Sequence, residues 1–169
     1  MNGTRDRPEE AIARILLATD LSPASDLATD HAFRLAGQTG ASLLIVSVID
    51  PLELQLPGGG FGTRVDQVRE RREAAATALV ARGRRAGVAV AFLIWEGDPG
   101  ESIVAAAEAE QVDIVLVGTH GRGPIGRLFV GSVSDHVVRH APCPVLVVRA
   151  IRPVAVPRVE AERQGLTSP

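Results

Sequence analysis

The sequence predicts one α/β domain built on an open sheet of five parallel strands with helices on both faces. Its 169 residues, 46% of them hydrophobic, match a single domain with a substantial buried core. Five short apolar runs recur along the chain, and longer segments with helical spacing separate them, which is typical of βα units around a parallel sheet. Each run is apolar at odd and even positions alike, as expected for strands that helices cover on both faces.

The apolar runs and the helix-capping residues place each element along the chain. The predicted strands are residues 15–18, 42–49, 88–95, 113–118 and 145–148. Helices are predicted over 64–86 and 132–140, and after two cap signals, Ser22-Pro23 and Asp98-Pro99. The segment 57–62 is predicted to be a surface loop, because its glycines favour neither helix nor strand. We therefore divide the chain into an N-terminal extension (1–13), one domain (14–149) and an extended tail (150–169).

Charge and composition exclude several function classes. The 18 basic and 20 acidic residues give a net charge of −2, so no cationic field attracts nucleic acid or anionic lipid. All basic residues are arginine, which excludes a Walker A lysine and every Schiff-base mechanism. The single cysteine, Cys143, excludes an internal disulfide. Because the first ten residues are polar and no apolar run approaches a membrane span of about 18 residues, we expect a cytoplasmic protein.

The densest functional signal is the segment 118–135, which leaves the fourth strand and enters the last helix. Ligands of open parallel sheets bind at the carboxyl ends of the strands, and a helix N-terminus there attracts anions. The segment contains Gly121-x-Gly123-x-x-Gly126, formally a dinucleotide fingerprint. Pro124 interrupts it, however, and Leu146 stands where a ribose-binding acid is required, so a dehydrogenase is disfavoured.

A longer glycine spacing is more specific. Gly118-x2-Gly121-x9-Gly131-Ser132, together with the segments 15–20 and 141–148, resembles the universal stress protein family over about residues 14–149. The resemblance implies an adenine-nucleotide alpha-hydrolase-like fold with strand order 3-2-1-4-5. It also implies ATP binding, with or without Mg²⁺, and a homodimer formed through the last strand, 145–148.

The resemblance further implies a role for each site residue. Near the adenosine it places Ala18, Thr19 and Asp20, with the main chain of Val48 at the adenine edge. Ribose and phosphates would contact Gly118, His120, Gly121, Arg122, Gly131, Ser132, Val133 and Ser134. We expect no catalytic residue and no metal ligand among the protein side chains.

Structural interpretations compete with some of these roles. Asp20 is also suited to a turn at the end of the first strand, and Ser132 with Asp135 to a capping box. His120 is expected to be a loop residue or ribose contact rather than an acid–base catalyst. The i,i+4 pair His136 and His140 has metal-ligand spacing but no evident third ligand, so we expect a surface or interface role.

The remaining conspicuous side chains are interpreted as structural. Cys143 is expected to be buried and inert, and Phe92 and Trp95 to pack in the core or an interface. The second helix carries an arginine-rich stripe, expected to be a solvated face paired with acids three or four residues away. Its arginines are Arg69, Arg71, Arg72, Arg82, Arg84 and Arg85, and its acids Asp66, Glu70 and Glu73.

Three function classes follow. The first is an ATP-binding regulator of the stress response with little or no hydrolysis. The second is a slow ATPase, for which no Walker B acid and no general base other than His120 or Asp20 is evident. The third is a dimeric interaction module that binds no nucleotide. Neither nucleic acid nor membrane is an expected partner.

Overall fold

A computed structural model describes residues 11–52, 61–119 and 131–149. Within them the strands are β1 (Arg14–Ala18), β2 (Ser42–Ile49), β3 (Val90–Glu96), β4 (Ile114–Gly118) and β5 (Val145–Val148). The helices are α1 (Asp26–Thr39), α2 (Phe61–Ala86), α3 (Pro99–Ala109) and α4 (Ser132–His140). The predicted extension up to residue 10, the tail from residue 150 and the segment 53–60 lie outside the described residues.

The five strands form one parallel sheet in the order β3-β2-β1-β4-β5, which confirms the predicted fold class. β1 is central, and its last residue, Ala18, lies opposite Val46 of β2 and Val117 of β4. The order reverses at β1, because the chain first proceeds outward through β2 and β3 and then returns to β4. Such a reversal is where open α/β sheets bind ligands.

Two apolar layers hold helices against opposite faces of the sheet. Ile15 and Leu17 pack with α1 residues such as Phe33 and with Leu79 of α2. Leu16 and Ala18 pack instead with α3 and α4, through core residues that include Ile103 and Val137. β1 is therefore buried on both faces, which explains why its sequence is apolar without alternation.

The predicted cap at Asp98 is present, whereas the helix predicted after Ser22 begins later than expected. Asp98 accepts a hydrogen bond from the N–H of Glu101 at 2.8 Å and so caps α3. Gly40 ends α1 with a left-handed φ of 72°. After Ser22, however, the chain first forms a short 3₁₀ turn, Pro23–Ser25, and α1 begins only at Asp26.

The start of α2 corrects the predicted surface loop. Phe61 and Gly62 belong to α2, although the glycine-rich composition of 57–62 predicted neither helix nor strand. A helix of 26 residues anchored on the sheet tolerates the cost of one glycine near its first turn, about 1 kcal/mol. Residues 57–60 lie outside the described part of the chain.

The arginine stripe of α2 also differs from its prediction, because its ion pairs reach other elements. Arg69 pairs with Glu96 at the end of β3 at 2.5 Å, and Arg82 pairs with Asp30 of α1 at 2.8 Å. Arg82 also lies 4.3 Å from the centre of the Phe33 ring. These pairs fasten α2 to its neighbours, whereas pairs within the helix would stabilise only the helix itself.

Other side chains are largely where the sequence predicted them. Phe92 and Trp95 pack against the two core layers. Cys143 is half-buried rather than buried, and it packs against the α3–α4 layer. Among the described helices, none is both long and apolar enough to span a bilayer.

Candidate functional site

A cavity of about 370 Å³ opens at the carboxyl ends of β1, β2 and β4 and is bounded by the starts of α3 and α4. Its position follows from strand length. β2 continues three residues past Val46, the partner of Ala18, whereas β1 stops at Ala18 and turns away. The cavity therefore lies beyond the end of the central strand, at the point where the strand order reverses.

The turn after β1 places a carboxylate on the cavity wall. The N–H of Thr19 makes a ladder bond to Val46 O at 3.0 Å, and Leu21 then adopts a positive φ of 59°. Asp20 accepts the N–H of Ser22 at 3.1 Å, and Thr19 accepts the N–H of Leu21 at 3.0 Å. Asp20 is therefore both a turn residue and a lining residue of the cavity.

The start of α4 forms the opposite wall. Gly131 is the N-cap and carries no capping side chain, while Ser134 donates its hydroxyl proton to Gly131 O at 3.0 Å. Ser132 is the first helical residue and is exposed. The first N–H groups of a helix have no acceptor within it, and they give this wall a partial positive charge.

The predicted capping box of Ser132 and Asp135 is wrong. The N-cap is Gly131, one residue earlier, and the Asp135 carboxylate binds the Arg139 guanidinium at 2.9 and 3.2 Å. This hydrogen bond, together with the charge of Asp135, raises the pKa of Arg139 above its ordinary value. Asp135 is thus engaged along the outside of the helix.

Nine of the predicted site residues line this one cavity, so Asp20 and Ser132 face a common space. They are Ala18, Thr19, Asp20, Val48, Gly118, Gly131, Ser132, Val133 and Ser134. The predicted contacts of His120, Gly121 and Arg122 lie outside the described residues.

The whole described domain matches one protein family. The model of the universal stress protein family matches residues 11–149. The chain belongs to the universal stress protein family.

Individual universal stress proteins agree with this assignment. A relative from Thermus aquaticus is 39% identical over 138 residues, covering 80% of this chain and 97% of the relative. A solved family member from Burkholderia pseudomallei is 32% identical with a TM-score of 0.69, covering 85% of this chain and all of that one. A hypothetical protein, studied as a structure-based assignment of biochemical function, is 27% identical with a TM-score of 0.74 over 84% and 99% of the two chains.

Three more distant structures share the fold and are described with nucleotides. A universal stress protein in complex with cAMP has a TM-score of 0.62 at 24% identity, covering 82% of this chain and 98% of that one. One from Arabidopsis thaliana with AMP bound has 0.57 at 19%, covering 81% and 91%. One from Archaeoglobus fulgidus in complex with dAMP has 0.60 at 21%, covering 80% and 96%. At these identities the likeness establishes the fold alone.

This universal stress protein also has lining residues that the sequence interpretation missed. Arg72, assigned to a solvated stripe, lines the cavity together with Asp50 at the end of β2. Pro99 and Ile103 contribute from the first turns of α3. One signal was available: in βα units the helices run antiparallel to the strands, so their N-terminal halves lie at the ligand-binding edge.

The two histidines of α4 have a packing role. His136 fills a notch at Gly100 of α3, where an added Cβ would meet its ring at 2.8 Å. His140 stacks on His136 at 4.3 Å between ring centres, and its Nδ1 lies 2.8 Å from His136 O. Across residues 11–52, 61–119 and 131–149, no cluster of three or more metal-ligating side chains occurs. Together, Gly100 and His136 set the spacing of the two helices that bound the cavity.

Proposed function

We propose that this universal stress protein binds an adenine nucleotide, in the first place ATP, and acts as a nucleotide-dependent regulator of the stress response with little or no hydrolysis. The observation that carries the proposal is the cavity between the end of β1 and the start of α4. One space there is lined by a carboxylate, an apolar strand end and an uncapped helix N-terminus. These features correspond to a sugar, a base and a phosphate chain.

The phosphate chain fits the α4 side of the cavity. Gly131 and Gly118 carry no side chain there, so phosphate oxygens have access to the main chain. The first N–H groups of α4 supply donors, and the exposed hydroxyl of Ser132 adds another. Because Ser134 already donates to Gly131 O, its hydroxyl holds the helix start in shape.

The nucleoside fits the β1–β2 side. Val46, Val48 and Ile103 give this end apolar walls, as a purine ring requires. Asp20, held in its turn by the N–H of Ser22, presents a carboxylate that suits ribose hydroxyls as an acceptor. The nucleotide complexes of the distant relatives are consistent with this use of the fold.

The two carboxylates that line the cavity, Asp20 and Asp50, each accept one main-chain N–H. Asp20 Oδ1 accepts the N–H of Ser22, and Asp50 Oδ1 accepts the N–H of Leu52 at 2.8 Å. Both carboxylates organise strand ends, and little or no hydrolysis is the part of the proposal that the phosphate-release measurement tests. If Mg²⁺ accompanies the triphosphate, these two carboxylates fit the hard oxygen ligands that the ion prefers.

We also propose that the protein is a homodimer that pairs through β5. Within the described chain β5 contacts β4 on one side and forms the sheet edge. Leu146 on this edge is 41% exposed. Apolar edge strands are normally covered, and a second copy provides the matching edge.

The test is calorimetric titration of ATP into the wild type and into a Gly131→Val, Ser132→Ala double variant. The backbone at Gly131 has a φ of −57°, which valine adopts, and an added Cβ meets nothing closer than 3.7 Å, so circular dichroism of the double variant should show the wild-type fold. We expect at least tenfold weaker binding, about 1.4 kcal/mol. Gly37→Ala, on α1 with nothing within 4 Å of the added Cβ, is the matched control.

Unchanged binding in the double variant would show that the glycine-serine start of α4 is only scaffold. No binding by the wild type would support a nucleotide-free interaction module instead. Phosphate release in the presence of saturating ATP measures hydrolysis directly. Mass spectrometry of small molecules retained after gentle purification identifies the physiological nucleotide.

A further inference from the structure

A chain of buried hydroxyl groups lies behind the turn that carries Asp20. The hydroxyl of Thr19 is 2.7 Å from Ser25 Oγ, and Ser25 Oγ is 2.7 Å from Ser22 O. Thr19 and Ser25 are only 7% and 4% exposed. Of these two residues, Thr19 lines the cavity, whereas Ser25 belongs to the 3₁₀ turn before α1. Any effect of Ser25 on a bound molecule therefore passes through Thr19 and the turn.

The proton direction along this chain is fixed by its two ends. A carbonyl oxygen accepts hydrogen bonds and donates none, so Ser25 donates its single hydroxyl proton to Ser22 O. Ser25 Oγ is then the acceptor for the hydroxyl proton of Thr19. At the other end, Thr19 Oγ1 accepts the N–H of Leu21 at 3.0 Å. Removing the Ser25 hydroxyl would therefore deprive Thr19 of its buried acceptor.

The turn needs this support because its backbone is unfavourable. Leu21 has a φ of 59°, in the left-handed region that a residue with a Cβ rarely adopts. One side-chain bond holds it directly, from the N–H of Leu21 to Thr19 Oγ1, and a second follows from the N–H of Ser22 to Asp20 Oδ1 at 3.1 Å. The hydrogen bond to Ser25 fixes the Thr19 side chain, so it also fixes the turn from which the Asp20 carboxylate projects.

We propose that Ser25 is a positioning residue whose hydroxyl, acting through Thr19, keeps the Asp20 carboxylate oriented to accept hydrogen bonds from ribose hydroxyls. The inference rests on the proposed nucleotide binding. A carboxylate can accept about four hydrogen bonds, so the bond from Ser22 is compatible with bonds from a ribose. Without the Ser25 hydroxyl, the carboxylate has to be ordered when the ligand binds, and this cost reduces what the ribose contributes to affinity.

The test measures Kd for ATP and for 2′,3′-dideoxy-ATP by calorimetry. The two ligands share base and triphosphate, so the ratio of their Kd values reports on the ribose hydroxyls alone. In the wild type we expect dideoxy-ATP to bind at least about tenfold more weakly, the worth of a hydrogen bond to a charged group. Asp20→Asn keeps an oxygen for the N–H of Ser22 but removes the charge, and it sets the low end of the ratio. In Ser25→Ala we expect the ratio to fall at least about threefold toward that end.

Three variants separate positioning from general loosening of the fold. Thr19→Val breaks the same hydrogen bond from its other end with little change of shape, and its ratio should fall similarly. Combining it with Ser25→Ala should lower the ratio no further than the larger single effect, because both act on one chain of bonds. Thr29→Val is the matched control: Thr29 is 5% exposed and donates its hydroxyl to the main-chain oxygen of Ser25 at 3.1 Å, so its ratio should equal that of the wild type. Circular dichroism verifies the fold of each variant.

The outcomes distinguish this proposal from nucleotide binding itself. If the wild type shows the expected ratio and both Ser25→Ala and Thr19→Val retain it, the role of Ser25 is refuted while nucleotide binding stands. An equal fall in Thr29→Val also refutes it, because any lost buried hydroxyl would then have the same effect. If Ser25→Ala does not fold, Thr19→Val decides. A wild type that binds both ligands equally refutes the ribose contact without any variant, and one that binds neither overturns both proposals.

Discussion

Gly100→Ala tests whether the contact between α3 and α4 sets the shape of the cavity. Gly100 is buried, and an added Cβ would lie 2.8 Å from His136 Cγ and 2.9 Å from His136 Cδ2. Ordinary contacts for such a carbon begin at 3.4 Å. Because His136 is half-buried and its ring stacks on His140, either the ring shifts or the two helices separate to admit the methyl group.

The magnitude follows from two opposing effects. Overpacking a close contact costs about 1 to 3 kcal/mol, whereas alanine is favoured over glycine within a helix by at most about 1 kcal/mol. With about 2 kcal/mol for overpacking and about 1 kcal/mol gained from alanine, we expect a net loss of about 1 kcal/mol in the free energy of unfolding. For a chain of this length the corresponding fall in Tm is about 2 to 4 °C.

Gly37→Ala is the matched control, because Gly37 is an exposed residue of α1 whose added Cβ meets nothing within 4 Å. There we expect stabilisation by about 0.5 to 1 kcal/mol. Thermal and urea unfolding of both variants, and of Gly100→Ala combined with His136→Ala, complete the comparison. The double variant should recover much of the loss, giving a coupling energy of about 1 to 2 kcal/mol. Equal stabilisation of Gly100→Ala and Gly37→Ala would refute the reasoning.

Two further predictions concern other parts of the molecule. Asp113 accepts the N–H groups of Ala13 and Arg14 at 2.8 Å each, so Asp113→Ala should lower the free energy of unfolding by about 2 kcal/mol. Urea titration should show a smaller loss in Asp113→Asn, which keeps an acceptor oxygen. Leu146→Arg should convert a dimer of twice 17.8 kDa into a monomer in sedimentation equilibrium. A wild type that is already monomeric would contradict the dimer proposal.

The sequence predicted the middle of the sheet accurately because β1, β2 and β4 are buried on both faces. Every residue of β2 after Ser42 is buried, so an apolar run without alternation marks the strand directly. The small boundary errors have local causes. Val88 donates its N–H to Gly83 O of α2, so β3 begins only at Val90. Asp113 uses its carboxylate to accept the N–H of Arg14 in β1, and β4 begins one residue later.

The lining of the cavity was predictable from the sequence where neighbouring residues indicated it. The prediction failed where a lining residue depends on contacts between distant segments. Asp20 follows the end of β1, and Gly131-Ser132 starts the helix that comes after β4, so their positions in the sequence indicate the ligand edge. Arg72 was assigned to a solvated face because spacing within a helix reports only on that helix's own neighbours. Its partners, Ser47 and Val48, are 25 and 24 residues away. Such a contact depends on how α2 lies on the sheet.

Because β2 is longer than β1, it exposes main-chain groups beyond the end of β1 that a bound molecule can contact. Val48 O is directed to where a longer central strand would have continued its ladder. A flat group that donates to this carbonyl from the β1 side would occupy the place of the next peptide unit of β1. The width of this space equals the distance between neighbouring strands, which is nearly the same in all sheets. The backbone itself therefore sets the size of a group that can lie there.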